Sequence, residues 1–193
     1  MNKAQKWTME AADDIRRTFP VPVKGFDSDS GSEFINLYFK KYCENNKINF
    51  TRGRARHSND NCFVEQKNGD IVRKTVEYFR YEGDEAVAAL EKVYLFLNPL
   101  INYFYPTKKT IDKKTLPNGK VKRIFENPLK TPYERLLEHP VVSVENKKKA
   151  MKIKKTLDIV TLHENLEKSC DELFYIASKN TAAPSLRQEQ RYG

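Results

Sequence analysis

Apolar residues recur along this chain with two different periods, and the switches between them mark its elements. Trp7, Ala11 and Ile15 fall on one face at steps of four, which predicts a helix over 4–18 that Pro20 and Pro22 bring to an end. Residues 21–26 then predict a strand that enters an acidic turn, where Gly31 permits a positive φ or a close backbone approach. Phe34, Leu37, Tyr38 and Tyr42 form an apolar stripe, predicting a helix from Glu33 to Asn46. Residues 48–52 alternate apolar with polar, the mark of a half-buried strand. A basic, Asn-rich loop follows. Asp60 and Asn61 are both good N-caps, so the next helix is expected to start there and run to Phe79. From Glu85 to about Phe104 the apolar positions Val87, Leu90, Tyr94, Leu97, Ile101 and Phe104 alternate steps of three and four, a narrow heptad-like seam. Pro99 is expected to kink or end that helix near residue 98. Residues 107–125 predict a basic β-hairpin turning at Pro117, Asn118 and Gly119. Residues 144–179 predict one long helix, Lys-rich at its start and apolar later, and 181–193 a flexible tail.

Charge adds a partner to this picture. The chain has 193 residues, a net charge of +9, and 32% charged residues. Such a balance points to a polyanion, with nucleic acid the first candidate and an ordinary basic protein the alternative. Seven Lys or Arg and one Asp lie between Lys108 and Arg123. Cys43, Cys62 and Cys170 are odd in number and far apart, and His57, His139 and His163 share no metal-ligand spacing with them. A reducing compartment fits. No apolar stretch approaches the 18 residues of a membrane span, so a cytoplasmic protein with no membrane partner is expected.

Two carboxylates stand apart. Asp29 follows a predicted strand, and Glu65 lies near the start of a predicted helix, with 35 residues between them. One helix and one strand intervene, so the chain goes out and returns, a path that can bring the two together. Carboxylate oxygens are the hard ligands that Mg²⁺ prefers, and two such ions about 3.5–4 Å apart serve phosphoryl transfer.

The segment Asp27-Ser-Asp29-Ser-Gly31-Ser-Glu33-Phe34 resembles the second-aspartate motif of DDE-type transposases and integrases. Arg56-His-Ser-Asn-Asp60-Asn resembles their loop before the glutamate, and Phe63-Val-Glu65-Gln-Lys67-Asn the glutamate helix. Asn102-Tyr-Phe-Tyr-Pro106 and Lys130-Thr-Pro-Tyr-Glu-Arg135 resemble segments that follow the triad in bacterial insertion-sequence transposases. The likeness covers roughly residues 7–137. It implies an α/β chain with a partial ribonuclease-H-like fold, to which the residue pattern adds the basic β-hairpin and the long C-terminal helix. It implies Asp29 and Glu65 as catalytic metal ligands, Mg²⁺ (or Mn²⁺) as cofactor, and DNA as partner. Arg52, Arg54, Lys67, Arg73 and Lys74 would steady phosphates. On a regular helix Lys67 lies about 200° from Glu65, whereas Arg73, eight residues on, shares its face.

The likeness has a gap. The family's first Asp sits on an early strand of its sheet, and three strands cannot fit before Asp29. Asp13 and Asp14 fall on a predicted helix and are poor substitutes. The expected organisation is therefore the C-terminal portion of a catalytic core over 1–106, the hairpin and the KTPYERLL segment over 107–143, a helix over 144–180, and the tail. The implied ancestral role is metal-dependent DNA cleavage and strand transfer, inactive in this chain alone. The alternative is a non-catalytic DNA-binding remnant that competes or co-assembles with an intact transposase, or forms a homo-oligomer. Asp29 could also simply cap the helix after it, and Asp27 could be a helper carboxylate or a solvated turn residue. The seam over 87–104 could be core or dimer interface.

Overall fold

The computed structural model describes residues 3–28, 37–52 and 68–182. The chain divides into two compact units, 1–77 and 78–193.

The first unit holds α1 (Lys3–Thr18), β1 (Gly25–Ser28), α2 (Leu37–Asn45) and β2 (Asn49–Arg52). A π-helical turn over Asn68–Val72 leads into α3 (Arg73–Val76). The strands pair in parallel, Gly25 with Asn49 through Ser28 with Arg52. Strand β1 starts later than the 21–26 pattern suggested: its register with β2 begins with Gly25 opposite Asn49. Helix α2 hands the chain to β2 through a Schellman turn. Lys47 takes a left-handed φ of 54°, Ile48 N–H donates to the Cys43 carbonyl at 2.8 Å, and Lys47 N–H to Glu44 at 3.1 Å. Asn49 N–H then reaches the Lys24 carbonyl at 2.8 Å and starts the ladder. Aromatic residues fill the space between strands and helices. Phe39 is buried, with Phe50 edge-on at 5.2 Å and Phe26 tilted at 5.8 Å. Ala12 of α1, Cys43 and Ile48 complete the cluster.

The helix expected to run to Phe79 ends at Val76. Glu77 takes φ 56° and ψ −152°, a conformation closed to a helical residue other than at a break.

The second unit is built on two long helices, α4 (Gly83–Tyr103) and α7 (Ile159–Ala182). They run antiparallel, as three contacts show in order: Phe79 against Phe174, Lys92 with Glu172 at 2.7 Å, and Tyr105 with His163 at 2.6 Å. The buried face of α4 is Ala86, Ala89, Val93, Leu97 and Leu100. That stripe is offset from the expected seam: Val87 is 55% exposed, and Leu97 alone belongs to both. Small Ala86 and Ala89 lie on the packed side. The larger Val87 and Leu95 face outward, so side-chain size misleads about phase here.

Pro99 lies inside α4, which does not end near residue 98 but runs on to Tyr103. A proline inside a helix removes one backbone bond at a cost of roughly 3 kcal/mol. Buried Leu97 and Leu100 flank it, and full burial of each such side chain contributes roughly 1.5–3 kcal/mol. Pro99 has no N–H to donate to the Leu95 carbonyl, and Leu95 lies on the exposed side of the helix.

The hairpin is β3 (Thr110–Thr115) and β4 (Val121–Phe125), antiparallel, with a bulge at Ile111. Gly119 at φ 77° makes its turn, and Leu116 N–H closes on the Lys120 carbonyl at 2.8 Å. A short α5 (Pro132–Glu138) follows. The single helix expected over 144–179 is two, α6 (Val144–Thr156) and α7, broken at Leu157 and Asp158. Leu157 is extended, and the Asp158 carboxylate caps α7 by accepting from Thr161 N–H at 2.7 Å. These backbone hydrogen bonds hold the Asp158 carboxyl below its ordinary range. No described helix is long and apolar enough to cross a membrane.

Candidate functional site

The parallel pairing of β1 and β2 has one direct consequence. Ser28 and Arg52 are register partners at the C-terminal ends of their strands, so the chain leaves both strands at the same edge. In open α/β sheets that edge, beyond the strand carboxyl ends, is where ligands bind. Asp29 is the next residue after Ser28, and Glu65 lies in the segment 53–67 that follows Arg52. Asp29 and Glu65 themselves lie outside the described residues, as do Arg54 and Lys67. Among the described residues no group of three His, Cys, Asp or Glu could hold a metal ion.

The neighbours of that edge are described. Asp27 lies on β1, not in a turn, and its carboxylate accepts from the Thr51 hydroxyl at 2.8 Å across the strand pair. Its ordinary role is to pin the register of the two strands. Ser28 is buried and Arg52 exposed. Arg73 and Lys74 open α3 on its exposed side. On a regular helix of about 3.6 residues per turn Arg73 would share a face with Glu65. The π-helical turn over Asn68–Val72 breaks that period, so the phase of Arg73 no longer follows from counting. Asp13 is engaged elsewhere on α1. Arg16 donates to it at 3.0 Å, Arg17 lies at 3.3 Å and the Tyr42 hydroxyl donates at 3.2 Å. The Arg16 hydrogen bond holds its carboxyl below the usual range. That set of partners makes Asp13 a bracket between α1 and α2.

The second unit carries the densest exposed charge. Lys113 faces Arg123 across the hairpin, and Lys114 faces Lys122. All four are exposed. The one hairpin carboxylate, Asp112, accepts from the Lys113 backbone N–H at 2.7 Å. Like charges directly opposite on a ladder are destabilising.

A clamp holds the base of this hairpin, and the sequence reading missed it. Thr131 and Glu134 form a complete capping box for α5: Glu134 N–H donates to the Thr131 hydroxyl at 3.1 Å, and Thr131 N–H to the Glu134 carboxylate at 2.7 Å. These bonds, the backbone one foremost, lower the Glu134 pKa. The box fixes α5 and aims Arg135 at the hairpin base. Arg135 Nε donates to Glu126 at 2.8 Å, and its other nitrogens to the Thr107 hydroxyl at 2.7 Å and carbonyl at 2.5 Å. Thr107 N–H in turn reaches the Lys130 carbonyl at 3.0 Å, and Glu126 N–H the Lys109 carbonyl at 2.9 Å. The signal was present: Thr131-Pro132-Tyr133-Glu134 has the capping-box spacing with proline at the first helical position. The segment thus has a local structural reason to exist, whatever its ancestry. His163, scattered in sequence, is hydrogen-bonded to the Tyr105 hydroxyl, and burial raises the Tyr105 pKa.

Over 113 residues the chain is 40% identical to an uncharacterized protein, y4rM, of Sinorhizobium fredii. The match covers 58% of this chain and 32% of that protein, so the chain spans about a third of the length of this relative. No family model matches.

Proposed function

We propose that this chain is a DNA-handling part of a DDE-type transposase or integrase, with a partial ribonuclease-H-like arrangement in its first unit. The observation that carries the reading is the parallel strand pair joined through α2. Its two strands end together, immediately before the Asp29 motif and the segment that bears Glu65. A helix-linked parallel pair whose strands are each followed in sequence by an acidic residue is an arrangement suited to phosphodiester chemistry. Carboxylate donors fit Mg²⁺, which when bound would polarise the phosphate and supply an activated oxygen nucleophile. In this scheme Asp29 and Glu65 hold the ion, while Arg52, Arg54, Lys67, Arg73 and Lys74 neutralise the DNA backbone. The π-helical turn just past the Glu65 segment supports the reading, because such turns cluster at functional sites.

Two carboxylates cannot clamp two ions at a fixed separation. The chain alone is therefore expected to bind duplex DNA without cutting it, and a third carboxylate would come from another segment or chain. The test incubates purified chain with supercoiled plasmid and Mg²⁺ or Mn²⁺, beside a Glu65→Gln control. Retention of DNA without nicking is expected. Failure to retain any DNA at low salt would overturn the reading, and nicking that Glu65→Gln abolishes would overturn its non-autonomous part. A second reading, a DNA-binding remnant without catalysis, is favoured by one fact. Among the described residues, the ladder with two opposed cation pairs belongs to a compact unit other than the one whose sequence bears the two carboxylates.

A further inference from the structure

The hairpin shows how DNA would be held. Strand side chains alternate between faces, so the register sorts its residues into two sets. Lys113, Thr115, Val121 and Arg123 share one face, and Asp112, Lys114, Lys122 and Ile124 the other. Each face carries one directly opposed pair of cations. Every residue of β4, and every residue of β3 after Thr110, is exposed, so both faces of the ribbon are open to solvent. Lys120, at the turn, adds a further exposed cation at the tip.

A ribbon charged on one face suits a flat polyanion. A ribbon charged on both suits a cleft with anionic walls on either side. The major groove of B-form DNA is such a cleft, about 12 Å wide, and admits a two-stranded β-ribbon. Six residues of β3 at about 3.4 Å each give a ribbon about 20 Å long. Val121 and Ile124, exposed on opposite faces, offer apolar contacts of the kind thymine methyls accept.

We propose that the Thr110–Phe125 ribbon inserts into the DNA major groove, with Lys113 and Arg123 toward one phosphate wall and Lys114 and Lys122 toward the other. The inference shares its DNA partner with the function proposed above and needs none of its chemistry. The experiment measures binding of the full-length chain to a 20-base-pair duplex from about 50 to 200 mM salt. It compares Lys113→Gln/Arg123→Gln with Lys114→Gln/Lys122→Gln. Groove insertion predicts that each pair lowers the log–log salt slope by about 1.8, since each neutralised phosphate contributes about 0.9. It predicts further that a duplex with glucosylated cytosines, which fill the major groove, binds at least tenfold more weakly. Duplex RNA, whose major groove is too narrow, should also bind more weakly. If one pair matters and the other leaves the slope unchanged, the ribbon lies flat and insertion is wrong. If neither matters while the chain still binds DNA, the ribbon is not the contact and the proposal falls, while the broader DNA reading stands. If anionic phospholipid vesicles bind through either pair and the duplex does not, the ribbon belongs to a membrane surface. Because the substituted side chains are exposed, unchanged melting separates lost contact from lost fold.

Discussion

Replacing Arg135 with Ala should loosen the hairpin before anything else. Arg135 is the one side chain that joins α5, Thr107 and Glu126, through three hydrogen bonds of 2.5–2.8 Å. Its side chain is 17% exposed and that of Glu126 19%, so water compensates only partly when the bond is cut. A hydrogen bond to a charged group contributes roughly 1.5–3 kcal/mol, and stranding the carboxylate of a fully buried pair costs roughly 3–5 kcal/mol. With one fifth of each side chain in water, the loss should be about 2–3 kcal/mol. For a chain of this length each kcal/mol moves melting by roughly 2–4 °C, giving a decrease of about 5–10 °C if the hairpin unfolds with the whole. A two-stranded hairpin is marginal by itself, so it could also open alone. Hydrogen exchange separates these cases: the ladder amides of β3 and β4 should lose protection while α4 and α7 retain theirs. The pairwise part comes from a cycle of Arg135→Met, Glu126→Gln and the double variant. Coupling above about 1 kcal/mol is expected. Unchanged hairpin exchange with additivity within about 0.3–0.5 kcal/mol would refute the clamp.

Leu173→Ala should destabilise by about 2–5 kcal/mol in denaturant melts, because the side chain is wholly buried in the α4–α7 contact; a cost under about 1 kcal/mol would show that this contact is not the core. Lys122→Glu turns a repelling cross-strand pair with Lys114 into an attractive one, so it should raise hairpin stability by about 0.5–1 kcal/mol while weakening duplex binding. Asp13 has a folded pKa below its ordinary 3.8, so its stabilising effect is fully present above that value and disappears as pH falls through the folded value. Asp13→Asn should accordingly be less stable than the parent at neutral pH, with the gap closing below pH 3.8; a gap that persists there would assign the loss to packing.

What the sequence made legible follows from which physical signals are local. Period-two alternation at 48–52 and the Pro117-Asn118-Gly119 turn identified β2 and the hairpin, because each is decided by a few adjacent side chains. The apolar steps of α4 identified a helix but not its buried side. Periodicity gives the angle between residues, whereas the buried side depends on α7, some 70 residues away in sequence, and on Ala86 and Ala89 allowing it to approach. Pro99 was expected to kink or end the helix, and α4 runs on past it to Tyr103. Its local cost is real, and the flanking burial that offsets it comes from outside the window. The break at Asp158 was legible in principle, since Asp is a strong N-cap, but residues 144–179 offered helical periodicity on both sides of it. At the candidate site, the pairing of strand ends could be inferred from the out-and-back path. The role of Asp27 could not, because its partner Thr51 lies on the other strand.

The clamp and the charged ladder explain each other. Two opposed cation pairs push the strands of the hairpin apart, and turn geometry alone gives a two-stranded ribbon little reserve. A sequence selected only for stability would place an acid across from Lys114 or Lys113. This chain keeps four cations there and gathers its restraint at the opposite end, in Arg135, Glu126, Thr107 and the capping box that fixes α5. Restraint at the base leaves the charged tip exposed on both faces. That division is what the proposed insertion into an anionic groove would require: a bound polyanion would neutralise the repulsion, and the base would keep the strands paired before binding. If the ladder were merely a solvated surface, the stability lost to repulsion would have no compensation, and Lys122→Glu would improve the fold at no cost to any binding.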